Sequence, residues 1–213
     1  MLMPIFVAHY TVDTPYEELV CRLKHSLKKF NLPYYIEPIK SLGSWRLNSN
    51  YSARLVQKCL KMFPYRPILK TDADAVVQNY PSVFEDKDFN PDVAACIWYR
   101  FRKRGELLGG TLYFANNEKS NKIVDDWVGL CNKYPTKRNP DLLEQVLWKS
   151  PNKSDRKWAE GRSEFVLPEQ ILFKNLPLEY CKIFDLMQDQ VPEPIIEHFQ
   201  ASRKYRKTIL SRK

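Results

Sequence analysis

Arg66-Pro67-Ile68-Leu69-Lys70-Thr71-Asp72-Ala73-Asp74-Ala75-Val76-Val77 joins a short apolar extended segment to a pair of aspartates and then to a second apolar run. This order predicts two carboxylates at the carboxyl end of a central strand, where open α/β sheets bind their ligands. Carboxylates that close repel one another unless a cation lies between them. A hard divalent ion with oxygen ligands would neutralise them and leave positions for phosphate oxygens. A simple turn cap after the strand is the competing reading of either aspartate. The triplet alone does not choose, because Asp86-Lys87-Asp88 repeats it nearby. That second copy sits between Phe84 and Pro91 in an acidic stretch and reads as surface.

Upstream, residues 4–11 (PIFVAHYT) predict a buried first strand. Thr14-Pro15-Tyr16-Glu17 predicts a helix start, with Thr14 as N-cap, Pro15 at the first helical position and Glu17 as capping-box partner. Leu19, Val20, Leu23, Leu27 and Phe30 follow at helical spacing. Residues 34–37 read as a strand, 42–50 as a polar loop with Gly43, Trp45 and Arg46, and 50–63 as a second helix. Downstream, 93–99 and 110–115 are buried strands, Asn117 caps a third helix, and a fourth covers 141–149. A polar loop spans 151–161, and 164–167, 180–184 and 194–198 are short strands. Alternating strands and helices imply an α/β fold: a central, mostly parallel Rossmann-type sheet flanked by helices, with a smaller irregular C-terminal part. No linker divides the chain, so 1–213 is expected to be one domain.

A formal charge of +9 favours anionic partners, among them nucleotide diphosphates, nucleic acid and acidic membrane surfaces. The charge is concentrated in Arg100-Phe101-Arg102-Lys103-Arg104 and in residues 203–213, for both of which solvated surface is the plain alternative. The five cysteines are an odd, scattered set without a C-x-x-C pair, so they read as reduced thiols, four of them among apolar neighbours. No apolar run is long enough for a transmembrane segment, and the N-terminus lacks the features of a signal peptide. A cytoplasmic location is expected, with membrane association through the basic C-terminus as an option.

The stretch PILKTDADAVVQNYPSVF resembles the metal-binding segment of GT-A glycosyltransferases. Further similarities come in the order that fold requires. GSWRLNSNYSARLVQKCLKMFPY is similar to the preceding helix, LLGGTLYFANN to the small-residue strand beside the transferred sugar, and LLEQVLW to the D-Q-x-x-L segment. PIIEHFQASRKYRK resembles the H-x-x-G-x-x-K element of family 8-like retaining enzymes. The resemblance implies a nucleotide-binding part over about 1–80 and an acceptor and metal-closing part over about 90–213. It implies Asp72, Asp74 and His198 as ligands of Mn2+ or Mg2+, and Lys204, with Arg203, as diphosphate contacts. Three positions depart from the pattern: Ala201 replaces glycine, Glu144 replaces aspartate, and Gly109-Gly110 stand for asparagine-x-glycine.

The function so implied is transfer of a sugar from a nucleoside diphosphate, UDP favoured, to a hydroxyl on a glycan, lipid-linked glycan or nucleic acid. Tyr10 and Thr11 are candidates for binding the base, Arg46 and Arg54 for phosphate, and Gly109 and Gly110 for close approach of the donor sugar, unless the glycines merely form a turn. Glu144 and Gln145 are candidates for positioning sugar or acceptor, or else an exposed helix face. His25 reads as exposed, while His9 suits either a nucleotide base or the core. The absence of an evident general base favours retention. Two rivals remain open: a nucleotidyltransferase, although the first strand–helix turn lacks its glycine- and arginine-rich loop, and a basic nucleic-acid-binding module.

Overall fold

Strand β1 (Ile5–Thr11) is buried over its first four residues, as befits an inner strand covered on both faces. The computed structural model, which describes residues 2–100, 105–201 and 203, places β1 parallel to both β2 (Tyr34–Ile39) and β3 (Ile68–Thr71). Between these strands run α1 (Tyr16–Lys29) and α2 (Trp45–Met62), and β4 (Ala75–Val77) follows β3. The large sheet continues through β5 (Val93–Trp98), β6 (Glu106–Phe114), β7 (Glu164–Leu167) and β8 (Ile171–Asn175), in the order β2-β1-β3-β6-β5-β8-β7. Only β6 and β7 run against the other five strands. Helices α3 (Glu118–Lys133) and α4 (Asn139–Trp148) follow β6, and a second sheet pairs β4 with β10 (Ile196–His198) and β10 with β9 (Lys182–Ile183).

Strand alternation divides the interior into two halves. Val7, Ile68, Leu112 and Phe114 face α2 and α3, where Leu55, Val56 and Trp127 complete the packing. Phe6, Leu69 and Tyr113 face the other way, onto Leu23, Leu27 and Phe84. Each large apolar side chain so buried stabilises the fold by roughly 1.5–3 kcal/mol. The free cysteines follow the same division: Cys59, Cys96, Cys131 and Cys181 are buried and Cys21 is exposed.

Local chemistry explains where the elements depart from expectation. Thr14 is not the N-cap residue of α1, though its hydroxyl accepts from Tyr16 N at 3.3 Å. Its hydroxyl donates to Thr11 O at 2.6 Å, and Glu17 accepts from Asp13 N, so a side-chain-closed turn precedes a helix that starts after Pro15. Helix α2 starts at Trp45, because the Ser44 hydroxyl accepts from Leu47 N and supplies a cap. The polar character of 45–50 is therefore that of a helix face along a cleft, not of a loop. Strand β6 begins at Glu106, before the two glycines, and Gly109-Gly110 lie inside it rather than in a turn. Asn117 caps α3 as expected, in a reciprocal box with Ser120.

Candidate functional site

From the end of β3 the chain turns through Asp72-Ala73-Asp74 into β4. Strand β10 pairs antiparallel with β4, His198 opposite Ala75, and this register carries the distant histidine beside both aspartates. Its neighbour Glu197 points the other way, held by Lys182 at 3.2 Å and by Gln78 at 2.9 Å. That anchoring fixes which face of the strand His198 takes. Ligand-type atoms of Asp72, Asp74 and His198 all lie within 4.8 Å of one another.

The His198 ring is 1% exposed. Nε2 lies 2.9 Å from Thr111 Oγ1, while Nδ1 makes no hydrogen bond and stands 3.9 Å from Asp72 Oδ2. A buried polar atom without a partner costs about 1–3 kcal/mol, so such an orphan asks for an explanation. With Nε2–H donated to Thr111, the Nδ1 lone pair is left for a cation, the usual arrangement of a ligating histidine. The donor set of two carboxylates and one imidazole fits a divalent ion. Burial works against an imidazolium here, but the Cys181 sulfur and the Asp72 and Asp74 carboxylates outweigh it and push its pKa up to about 9.

The two aspartates are in different surroundings. Asp72 is half-exposed, and burial opposes its charge, but Lys70 and then His198 hold it below its ordinary range. Asp74 is buried, and burial together with Asp72 raises its pKa. Its Oδ2 accepts the Ala201 N–H at 2.7 Å, so that amide, where the family pattern has glycine, is engaged by the aspartate.

Gly110 is fitted to the histidine. A Cβ there would lie 2.8 Å from His198 Cε1 and 3.0 Å from its Nδ1. At Gly109 it would lie 2.4 Å from Pro140 Cγ. Both glycines therefore make room for neighbouring side chains, a reason the sequence reading did not contain.

Two cavities meet at Asp72. His9, Tyr10, Thr11, Thr14 and Asn48 border the first, with Asp72 and Asp74 at its floor. His9 Nε2 lies 2.7 Å from Asn48 O, and burial lowers its pKa to about 4, so the ring is neutral. The second cavity is bordered by Lys70, Trp98, Gly109, Gly110, Arg138 and His198, among others. Trp45, Ser49 and Ser52, a single stripe of α2, border both, as do Asp72 and Gln200. Asn139, at the start of α4, donates from Nδ2 to Ser49 O at 3.1 Å and ties the second cavity to that stripe.

Of the remaining expected residues, Arg46 and Arg203 border the second cavity, Arg46 over the face of Trp45 at 4.8 Å and Arg203 paired with Asp185. Arg54 lies elsewhere: it is exposed and donates to Asn132 at 2.8 Å, joining α2 to α3. Glu144 is not at the cleft either. It is buried, accepting from Trp158 Nε1 at 2.7 Å and pairing with Arg156 at 3.3 Å, and thereby pins the 150–161 loop to α4. Gln145 is half-buried and borders neither cavity. Lys204, and residues 101–104 of the first basic cluster, lie outside the described residues, as does all of the basic tail except Arg203. Asp86 and Asp88 are exposed, as is His25. Among the described residues no helix is long and apolar enough to cross a membrane.

The sequence reading missed Lys70, Thr111 and Asn139. Only Lys70 left a visible signal, a charged residue inside an otherwise apolar strand two positions before the first aspartate.

The fold is found in known proteins. The chain is similar to a glycosyltransferase involved in the glycosylation of the major capsid of PBCV-1, with 13% identity and a TM-score of 0.68 over 97% of this chain and all of that one. It is also similar to the apo form of the glycosyltransferase GlyE of Streptococcus pneumoniae TIGR4 (13% identity, TM-score 0.57, 93% of this chain and 55% of that one). A third likeness is to the galactosyltransferase LgtC in complex with donor and acceptor sugar analogues (11% identity, TM-score 0.52, 92% of this chain and 86% of that one). No protein-family model and no curated protein matches the sequence. At these identities the likeness is one of fold: the chain has the GT-A-like architecture of these glycosyltransferases.

Proposed function

We propose that this GT-A-like chain is a glycosyltransferase that moves a sugar from a nucleoside diphosphate, UDP favoured, to a hydroxyl acceptor, with Mn2+ or Mg2+ held by Asp72, Asp74 and His198. The observation that carries this reading is the cluster of those three residues where two cavities meet, Asp72 bordering both, Asp74 the first and His198 the second. A divalent ion at that position supplies Lewis-acid stabilisation of a departing diphosphate.

The chain's own groups divide the remaining work. The first cavity offers an uncharged wall of His9, Tyr10 and Thr11, suited to a nucleoside. The neutral His9 presents an aromatic face without adding charge. Arg46 and Arg203, with Lys204 beyond the described residues, would supply positive charge to the phosphates. The second cavity receives the sugar and the acceptor hydroxyl, which on this reading belongs to a glycan, a lipid-linked glycan or a nucleic acid. Asn139 and Pro140 border this cavity, and on this reading they would do the positioning work expected of Glu144 and Gln145.

The carboxylates bordering the second cavity are, among the described residues, Asp72 and Glu106. Asp72 belongs to the metal set, and Glu106 is paired with Arg138 at 3.1 Å on the exposed rim. Neither is placed as a general base for the acceptor, which supports retention. The whole chain, 1–213, would act as one catalytic domain, its nucleotide side in the first 80 or so residues.

A thermal-shift screen of nucleoside diphosphates and nucleotide sugars, with and without Mn2+, tests the reading. A Mn2+-dependent shift that is lost in Asp74→Ala supports it, and indifference to every nucleotide–metal pair would sink it. For any active donor, the anomeric configuration of the product by NMR decides retention.

A further inference from the structure

Lys70 is an uncommon neighbour for a cation site. Its side chain is 5% exposed, and its ammonium donates to Asp72 Oδ1 at 2.5 Å and to Gly109 O at 2.8 Å. In β3 it is paired with Val7 on one side and Leu112 on the other, so it stands in the middle of the sheet. A charge so buried persists only when paired, and the aspartate beside the cleft is its ionic partner.

Its contact also sorts the two oxygens of Asp72. Oδ1 is taken by the ammonium, and Oδ2 is the atom 3.9 Å from His198 Nδ1. The charges then decide the order of events. In the form that takes a cation, with both aspartates ionised and the His198 ring neutral, Asp72 and Asp74 bring two negative charges and Lys70 one positive, leaving one net negative charge. A divalent cation added alone turns this into an excess of one positive charge in a largely buried group. A diphosphate arriving with it, carrying at least two negative charges, removes that positive excess. Without Lys70, the carboxylates alone would neutralise the ion.

We propose that Lys70 is the resident counter-ion of the aspartate pair and makes divalent-cation binding depend on a nucleoside diphosphate. The proposal rests on the metal–diphosphate reading above and deepens it. By linkage, the diphosphate strengthens cation binding by the same factor by which the cation strengthens diphosphate binding, and Lys70 sets the size of that factor.

The test is titration of Mn2+ followed by electron paramagnetic resonance of the free ion, with and without UDP. The wild type is compared with Lys70→Met, Lys70→Gln and Lys70→Arg. Wild type and Lys70→Arg bind Mn2+ weakly alone and far more tightly with UDP. Lys70→Met and Lys70→Gln bind Mn2+ alone at least about tenfold more tightly, as removal of one nearby charge requires, and the gain from UDP shrinks by the same factor. Lys70→Gln keeps a donor for Gly109 O and carries the test if the methionine variant does not fold. Unchanged or weaker Mn2+ binding in both neutral variants, with normal Mn2+–UDP binding in the wild type, overturns the role of Lys70 alone. A wild type that binds neither Mn2+ nor UDP overturns the metal–diphosphate reading and this proposal with it.

Discussion

His198 stands opposite Ala75 in the pairing of β10 with β4, and this sets its Nδ1 3.9 Å from Asp72 Oδ2. The C-terminal strand is therefore a wall of the site. Asp74 reinforces the join, since its carboxylate takes the Ala201 amide and its carbonyl the Phe199 amide. The pairing of β4 with β10 thus brings His198 to the two aspartates.

Replacing Asp74 by asparagine should raise the stability of the metal-free protein. Burial and Asp72 raise the Asp74 pKa, so its charged form is disfavoured in the fold at neutral pH. Asparagine still accepts from Ala201 and removes that penalty. A gain of about 1 kcal/mol would lift Tm by about 2–4 °C in a chain of this size. Calorimetry in EDTA measures the gain, and the same variant should show no Mn2+–UDP response.

The pH dependence follows from His198. Its folded pKa of about 9 lies above the ordinary 6.5. Its proton therefore stabilises the metal-free protein fully below about pH 6.5, and that stability is lost as pH rises towards 9. A cation competes for the same nitrogen, so Mn2+ affinity should climb over the same interval. Tm in EDTA from pH 6 to 9 should fall in the wild type and stay nearly level in His198→Gln. A level wild-type profile would remove the histidine from this account.

Gly110→Ala should displace the imidazole, because the new methyl would lie 2.8 Å from Cε1. A misdirected ligand or supporting group costs about 10–100-fold in metal affinity. Gly129→Ala is the control: its methyl meets nothing within 4 Å on α3. It should stabilise by about 0.5–1 kcal/mol. Mn2+ titration and thermal melts of both variants separate the two effects.

Glu144→Ala leaves Arg156 buried without its carboxylate and should cost about 3–5 kcal/mol of stability. Mn2+–UDP affinity of the folded fraction should be unchanged. Arg54→Ala, at an exposed tie between helices, should stay within about 0.5 kcal/mol of wild type. Urea melts with nucleotide titrations check both, and a selective loss of donor binding in either would return that residue to the site.

The parts of the site legible in the sequence are those whose chemistry is compressed into a few neighbours. Asp72 and Asp74 ended an apolar strand and entered another, and that context separated them from Asp86 and Asp88. The GT-A-like sheet was legible for the same reason, since its inner strands are continuous apolar runs. Glu144 and Arg54 misled because their residue types suit a phosphate or sugar contact. Their true partners, Arg156, Trp158 and Asn132, become visible only when helices pack. Thr111 and Asn139 were silent because a lone hydroxyl or amide has no pattern until a ring or a carbonyl is set against it. Strand β8 was missed because a left-handed pair, Glu169-Gln170, breaks the run that precedes it.

The shared stripe of α2 has an evolutionary consequence. Ser49 and Ser52 open onto both chambers, whereas Thr11 borders one and Asn139 the other. A change at either serine reshapes both rooms at once, so on the proposed function selection for a new donor there would drag acceptor preference along with it. Divergence of one preference at a time is open to the residues that border a single chamber.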